Sequence, residues 1–184
     1  MTLVTIGLSG AALVGLLATQ RTSALGIAPE AGKDHWHSAF AVAACGEVLP
    51  ATQDPQHGDG IHAHADGLIH IHPTSSQAAG PNATLGNYLS TVGANLTDGR
   101  YEPGPGEASN VLDVTEGCDG EPAVLQLAVW PKGKFDSDPT IITSNLADYR
   151  FEEDGQAITL ALAPAGSEIP ISPVADNVNN PGDQ

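Results

Sequence analysis

The sequence predicts a small α+β domain, a mixed sheet of short strands carrying one short amphipathic helix. Three observations lead to it. Apolar and polar residues alternate with a period of two in several short segments, clearest over residues 61–73. Residues 84–93 carry the chain's one strong helical pattern. Aromatic residues make up only 4% of the chain, which holds 21 glycines and 14 prolines, so the core must come from Val, Leu, Ile and Ala set between many turns.

At 184 residues there is room for one domain with an appendage at each end. Met1 to Gln20 contain no charge, and their apolar run is close to the ~20 residues needed to cross a hydrocarbon core. No basic residue precedes this run, and Thr22-Ser23-Ala24 is a poor substitute for an A-x-A cleavage site. Residues 1–21 are therefore expected to be a transmembrane anchor or signal segment. An uncleaved single-pass anchor is preferred, with the domain extracytoplasmic, or secreted if the segment is removed. Arg21, the first charge, votes the other way under the positive-inside rule, but it is a single arginine.

Residues 22–33 are small and polar and read as a linker. The domain is placed at 34–169. Residues 170–184 are rich in Asn and Pro without periodicity and read as a disordered tail. Neither end is expected to pack.

Within the domain, Phe40, Val42 and Ala44 alternate with alanines ahead of Cys45-Gly46, and Val48 and Leu49 follow, as in a short hairpin; the alanines also suit a helix. Residues 61–73 form a second hairpin around Asp66-Gly67. Thr84 is an N-cap for a helix whose inner face is Leu85, Tyr88, Leu89 and Val92, with Gly93 as its stop. Residues 124–130 and 157–163 are strands, the second introduced by a turn at Asp154-Gly155, and 140–143 is a minor extra strand. Hairpin, helix, strand, strand is the element order of a β-grasp-like sheet, although other mixed topologies share it.

The formal charge is −16, from 22 acidic and 6 basic residues. Such a surface repels phosphate backbones and anionic headgroups, so nucleic acid is excluded as a partner. Cys45 and Cys118 are too far apart in sequence for a zinc ribbon or a thioredoxin motif. They form a disulfide, or remain separate thiols, or one joins a copper site; an extracytoplasmic location permits the first.

All seven histidines fall between positions 35 and 72, and six of them form three H-x-H pairs: His35/His37, His62/His64 and His70/His72. His57 is the seventh. Residues two apart on a strand point to one face, close enough to address one ion. The register of the second hairpin decides how the pairs meet. A two-residue turn at Asp66-Gly67 would mix histidines with isoleucines on both faces. A three-residue loop, Ala65-Asp66-Gly67 with Gly67 in the left-handed region, sets His62 opposite His70. His62, His64, His70 and His72 then share one face, expected to be wet, and Ile61, Ala63, Ile69 and Ile71 share the other.

Four neutral imidazoles on adjacent strands suit zinc or copper, with His35 and His37 adding to the site if their strand lies alongside. Asp66 or Asp59 can orient the ligand rings by hydrogen bonding. The only methionine is Met1, which argues against a Cu(I) thioether site and for Cu(II) or zinc. The plainer alternative is a run of polar strand residues, and a third is a pH sensor opened by protonating neighbouring rings.

Asp34-His35-Trp36-His37, Cys45-Gly46-Glu47, the run His62 to His72 and Thr84-Leu85-Gly86 resemble a family of uncharacterised, membrane-anchored extracytoplasmic bacterial proteins. Its signature is H-W-H, then H-x-H-x-D/G-x-I-H-I, then a T-L-G helix. The resemblance spans about residues 34–93, with looser agreement to 163. It implies a location and a shared site without naming a reaction. Many such sequences read H-T-H-D where this chain has His62-Ala63-His64-Ala65-Asp66, so an acid directly after the second histidine is missing here.

Three functions are consistent with these residues. The first is a metal-binding module, acting as buffer, chaperone or accessory subunit to a membrane-protein partner. The second is a metal-dependent enzyme, with Asp59, Asp66 and Glu47 available as bases but no HExxH-like motif. The third is a metal-free interaction domain.

Overall fold

The computed structural model describes residues 28–50, 60–64, 66–105 and 111–182. It is mostly sheet, with one short α-helix. The strands are β1 (Trp36–Ala44), β2 (Glu47–Val48), β3 (Ile61–Ala63), β4 (Leu68–Ile71), β5 (Asn95–Leu96), β6 (Arg100–Glu102), β7 (Leu112–Asp113), β8 (Val124–Trp130), β9 (Thr140–Ile142) and β10 (Gln156–Ala163). The helix, α1 (Leu85–Thr91), begins where Thr84 accepts a hydrogen bond from Asn87 N and stops before Gly93, whose φ is 72°.

The main sheet runs β3-β4-β1-β10-β8-β9, with β2 paired to β1; β5, β6 and β7 form a small second sheet. β1 and β10 lie parallel at the centre, while all other pairs are antiparallel. The alanine-rich segment 39–44 is strand rather than helix because its two flanks, β10 and β4, offer it a full set of backbone partners.

Alternation along the strands divides the interior in two. Phe40 and Val42 of β1, Ile158, Leu160 and Leu162 of β10, and Leu125, Leu127 and Val129 of β8 turn to one face, where Leu85, Tyr88 and Leu89 of α1 cover them. Ala39, Ala43, Leu68, Ala128, Ala157 and Ala161 turn to the other.

That second face is closed by the C-terminal segment, and over the described residues 170–182 the expectation of a disordered tail at 170–184 is corrected. Ile169, Ala175 and Val178 are buried against the alanines. Thr159 Oγ1 donates to Pro170 O at 2.8 Å, Ser172 Oγ to Phe40 O at 3.3 Å, and Asn177 Nδ2 to Asp66 O at 3.0 Å. The small side chains leave a shallow surface on which an aperiodic strap can lie and bury three apolar groups. The end of the linker also docks: Gly32 N donates to Pro73 O at 2.8 Å and Gly80 N to Pro29 O at 2.9 Å.

Cys45 and Cys118 are joined in a disulfide, with Cα atoms 5.4 Å apart. The bridge ties the β1–β2 turn to the loop leading into β8, at the end of β1 far from Trp36. Among the described residues no helix is long and apolar enough to cross a membrane. The expected anchor at 1–21 lies outside them.

Candidate metal centre

The hairpin β3–β4 pairs Ile61 with Ile71, His62 with His70 and Ala63 with Ile69. This is the register of the three-residue loop. Gly67 takes φ 78°, and a Cβ there would sit 3.0 Å from Val174 of the C-terminal strap, so both the turn and its cover require glycine. Ile61, Ala63, Ile69 and Ile71 enter the large apolar core. The histidines take the opposite face, continuing the alanine surface toward the strand ends.

The third pair arrives from β1, which runs antiparallel to β4 with Trp36 opposite Ile71 and His37 opposite His70. His37, His70 and His62 therefore form a row across three strands. His35, one step before β1, meets His72, their ring centroids 3.7 Å apart. His70 is the hub: its centroid is 4.7 Å from that of His37, 4.2 Å from His64 and 5.8 Å from His62. All six histidines expected as ligands thus join one cluster. His57 and Asp59 lie outside the described residues.

The face is not wet as expected. His37, His62 and His70 are buried, His64 and His72 are half-buried, and only His35 is exposed. The inner rings of the row are thus shielded from solvent while its outer end, at His35, is open.

Within the cluster, His35, His70 and His72 can each place one ring nitrogen so that all three lie within 4.8 Å of one another. His72 Nε2 is buried and finds no hydrogen-bond partner among the described residues. Leaving such a group unsatisfied costs about 1–3 kcal/mol, a cost that a metal bond would remove. His70 Nε2 lies 3.0 Å from Asp66 Oδ2, and with the ring donating there its remaining lone pair is on Nδ1. Asp66 is itself fixed, since Leu68 N donates to its Oδ1 at 3.0 Å.

Burial pushes the His70 imidazole down to about 4, against the opposing pull of Asp66. Burial also lowers His72 to about 4, helped by the adjacent His35, His62, His70 and His37 rings. Both are neutral at pH 7, the form in which an imidazole ligates.

Sequence reasoning missed Asp154. It sits in the turn before β10, and its Oδ1 accepts from His37 N at 2.9 Å, while Lys132 Nζ donates to Oδ2 at 3.1 Å. Burial raises this carboxyl, but the hydrogen bonds from His37 and Lys132 prevail and hold it at about 2. The only sequence signal was its turn residue pair, Asp154-Gly155; the contact depends on the long-range pairing of β1 with β10. Glu47, considered as a base, is exposed in the β1–β2 hairpin at the opposite end of β1.

No protein-family model, no curated protein and no solved structure matches this chain.

Proposed function

We propose that this protein is an extracytoplasmic transition-metal binding protein, taking copper(II) or zinc on its histidine face. It acts as a buffer, a chaperone to a membrane-protein partner, or an accessory subunit. The observation that carries the reading is the convergence of His35, His70 and His72 at the adjacent ends of β1 and β4, with donor atoms within 4.8 Å of one another. Imidazole-only donors, with no thioether among the described residues, favour Cu(II) or zinc over Cu(I).

A disulfide between Cys45 and Cys118 supports an oxidising compartment, where such a bridge persists. The apolar residues 1–20 and the resemblance in the H-W-H and H-x-H motifs support a membrane-anchored, extracytoplasmic setting. The strand order β4-β1-β10-β8, with the two central strands parallel and α1 packed on one face, supports a β-grasp-like classification.

A second reading, a metal-dependent enzyme, is favoured by the exposure of His35: three histidines leave a fourth position open toward solvent for water or substrate.

The test is elemental analysis and calorimetric titration of the full chain in detergent, without a histidine tag, using copper(II) and zinc. Tight binding that His35→Ala/His72→Ala weakens at least tenfold is expected. Binding no tighter than micromolar in the unaltered chain would defeat the proposal.

A further inference from the structure

At the margin of the main sheet away from the β3–β4 hairpin, β9 is the edge strand, and a cavity of about 270 Å³ opens between it and the turn that leads into β10. The registers put this cavity on the face opposite the histidines. Val129 of β8 lies beside Thr140 of β9 and beside Ile158 of β10, and both Val129 and Ile158 belong to the large apolar core. The space equals that of about nine waters at ~30 Å³ each, which is the small end of the range for ligand sites.

Its lining combines three kinds of group. Val129 and Ile142 give it an apolar side. Gln156 contributes a carboxamide that is 1% exposed, and the orientation of that amide is settled by its neighbours. Its Oε1 accepts from Tyr149 Oη at 3.2 Å and from Glu152 N at 3.3 Å, and since a backbone N–H can only donate, the oxygen must lie on that side. Nε2 is then a buried donor that finds no partner among the described residues, so an acceptor brought to it would be gained at no loss elsewhere.

Glu152 and Glu153 also line the cavity and make it electronegative. Lys132 does not neutralise them. Its ammonium donates to Asp154 Oδ2 at 3.1 Å, and it is the backbone N of Lys132 that reaches Glu153 Oε1, at 2.9 Å. Two carboxylates select an ammonium and repel a second carboxylate, so the acceptor offered to Gln156 has to be a neutral oxygen.

We propose that this cavity binds a small organic amine, with its ammonium facing Glu152 and Glu153, a neutral carbonyl oxygen taken by the Gln156 amide, and a short aliphatic body against Val129 and Ile142. An amino-acid amide has these parts, and leucinamide fits them into nine non-hydrogen atoms. The same chemistry is offered by a free amine and by the first residue of a peptide. The site stands apart from the metal-binding reading, because none of its groups belongs to the histidine cluster.

The experiment is methyl NMR of the full chain in detergent, with a chelator present and at pH 6.5, where an α-amine of ordinary pKa ~7.7–8.0 is charged. Leucinamide is expected to shift the Val129 and Ile142 methyl signals with a Kd below about 1 mM. N-acetylleucinamide, which lacks the charge, leucine, which carries a carboxylate, and 3-methylbutylamine, which lacks the acceptor, should each bind at least tenfold more weakly. Glu152→Gln, at an exposed side chain that folding does not need, should weaken leucinamide about tenfold. Gln156→Leu should bring leucinamide and 3-methylbutylamine to equal affinity, and if that variant does not fold, the ligand series and Glu152→Gln carry the test. His35→Ala/His72→Ala should bind leucinamide as the unaltered chain does. Leucylglycinamide binding as tightly as leucinamide would assign the site to peptide N-termini, and much weaker binding would assign it to free amines. No methyl shift with leucinamide, equal affinity for leucinamide and its N-acetyl form, or undiminished binding in folded Glu152→Gln would overturn the inference and leave the metal site untouched.

Discussion

On β1, Phe40 and Val42 point to one face of the sheet, while His37, Ala39 and Ala43 point to the other. The same division runs through β10, with Ile158, Leu160 and Leu162 against Ala157 and Ala161. One face is filled by large apolar side chains and a helix. The other is filled mostly by alanines, with Leu68 and Trp130 among them, and carries six imidazoles at one end and the C-terminal strap along the rest. The comparison teaches that the fold's stability and its chemistry are carried on opposite sides of the same strands, one residue apart.

The largest effect that tests this division is a change on the apolar face. Leu160 is fully buried at the centre of the sheet. Leu160→Ala is expected to cost about 2–5 kcal/mol, read as a shift in denaturant midpoint at unchanged slope. Metal affinity of the folded fraction should stay within a factor of about two, because additivity holds between sites without shared partners. A large loss of affinity would show that the two faces are coupled after all.

Next comes the disulfide, which closes a separation of 73 residues at the end of β1 away from the histidines. Its removal by Cys45→Ser/Cys118→Ser should cost about 2–4 kcal/mol of stability with the zinc affinity unchanged. Differential scanning calorimetry and zinc titration of the double variant measure both quantities. If affinity fell with stability, the site would depend on the tension of the whole strand rather than on its local register.

The acid response sharpens the comparison from the histidine side. His70 and His72 titrate near 4 in the folded chain against an ordinary value of 6.5. As pH falls below 6.5 the unfolded chain takes up protons that the folded one refuses, so stability is full above that value and is lost progressively toward pH 4. The apo protein should therefore unfold more readily at pH 4.5 than at pH 7, and His70→Gln/His72→Gln should flatten the slope. An equal slope in the variant, followed by urea midpoints across this range, would assign the acid sensitivity elsewhere.

Much of this was legible in the chain. The register of β3 with β4 follows from the demand that Ile61, Ile69 and Ile71 share a buried face, and the helix from Thr84, the inner residues Leu85, Tyr88 and Leu89, and Gly93; each is a local pattern with a local cause. What local pattern cannot supply is adjacency between distant strands. Nothing near His35 and His37 says that β1 lies beside β4, so their joining His70 and His72 could be expected only on the condition that the two strands lie together, and the contact of Asp154 with His37 was not expected at all. The strap was hidden for another reason. Its buried residues, Ile169, Ala175 and Val178, are too sparse to make a period, and it packs only because the alanines opposite are small.

The smallest predicted effect lies where the strap meets the site. Asn177 Nδ2 donates to the backbone oxygen of Asp66, the residue whose carboxylate holds His70 and whose turn carries the hairpin around Gly67. The bond is exposed, so Asn177→Ala should cost only about 0.5–1 kcal/mol in stability. Its effect on metal should be larger in proportion, because a carboxylate that orients a ligand ring acts through placement, and a slight loosening of the turn changes that placement without breaking any core contact. A few-fold weaker zinc affinity is expected, with no change in stoichiometry, by titration under identical buffer. Unchanged affinity would mean that Asp66 is held by its bond from Leu68 N alone, and that the strap covers the alanine face without reaching the chemistry beside it.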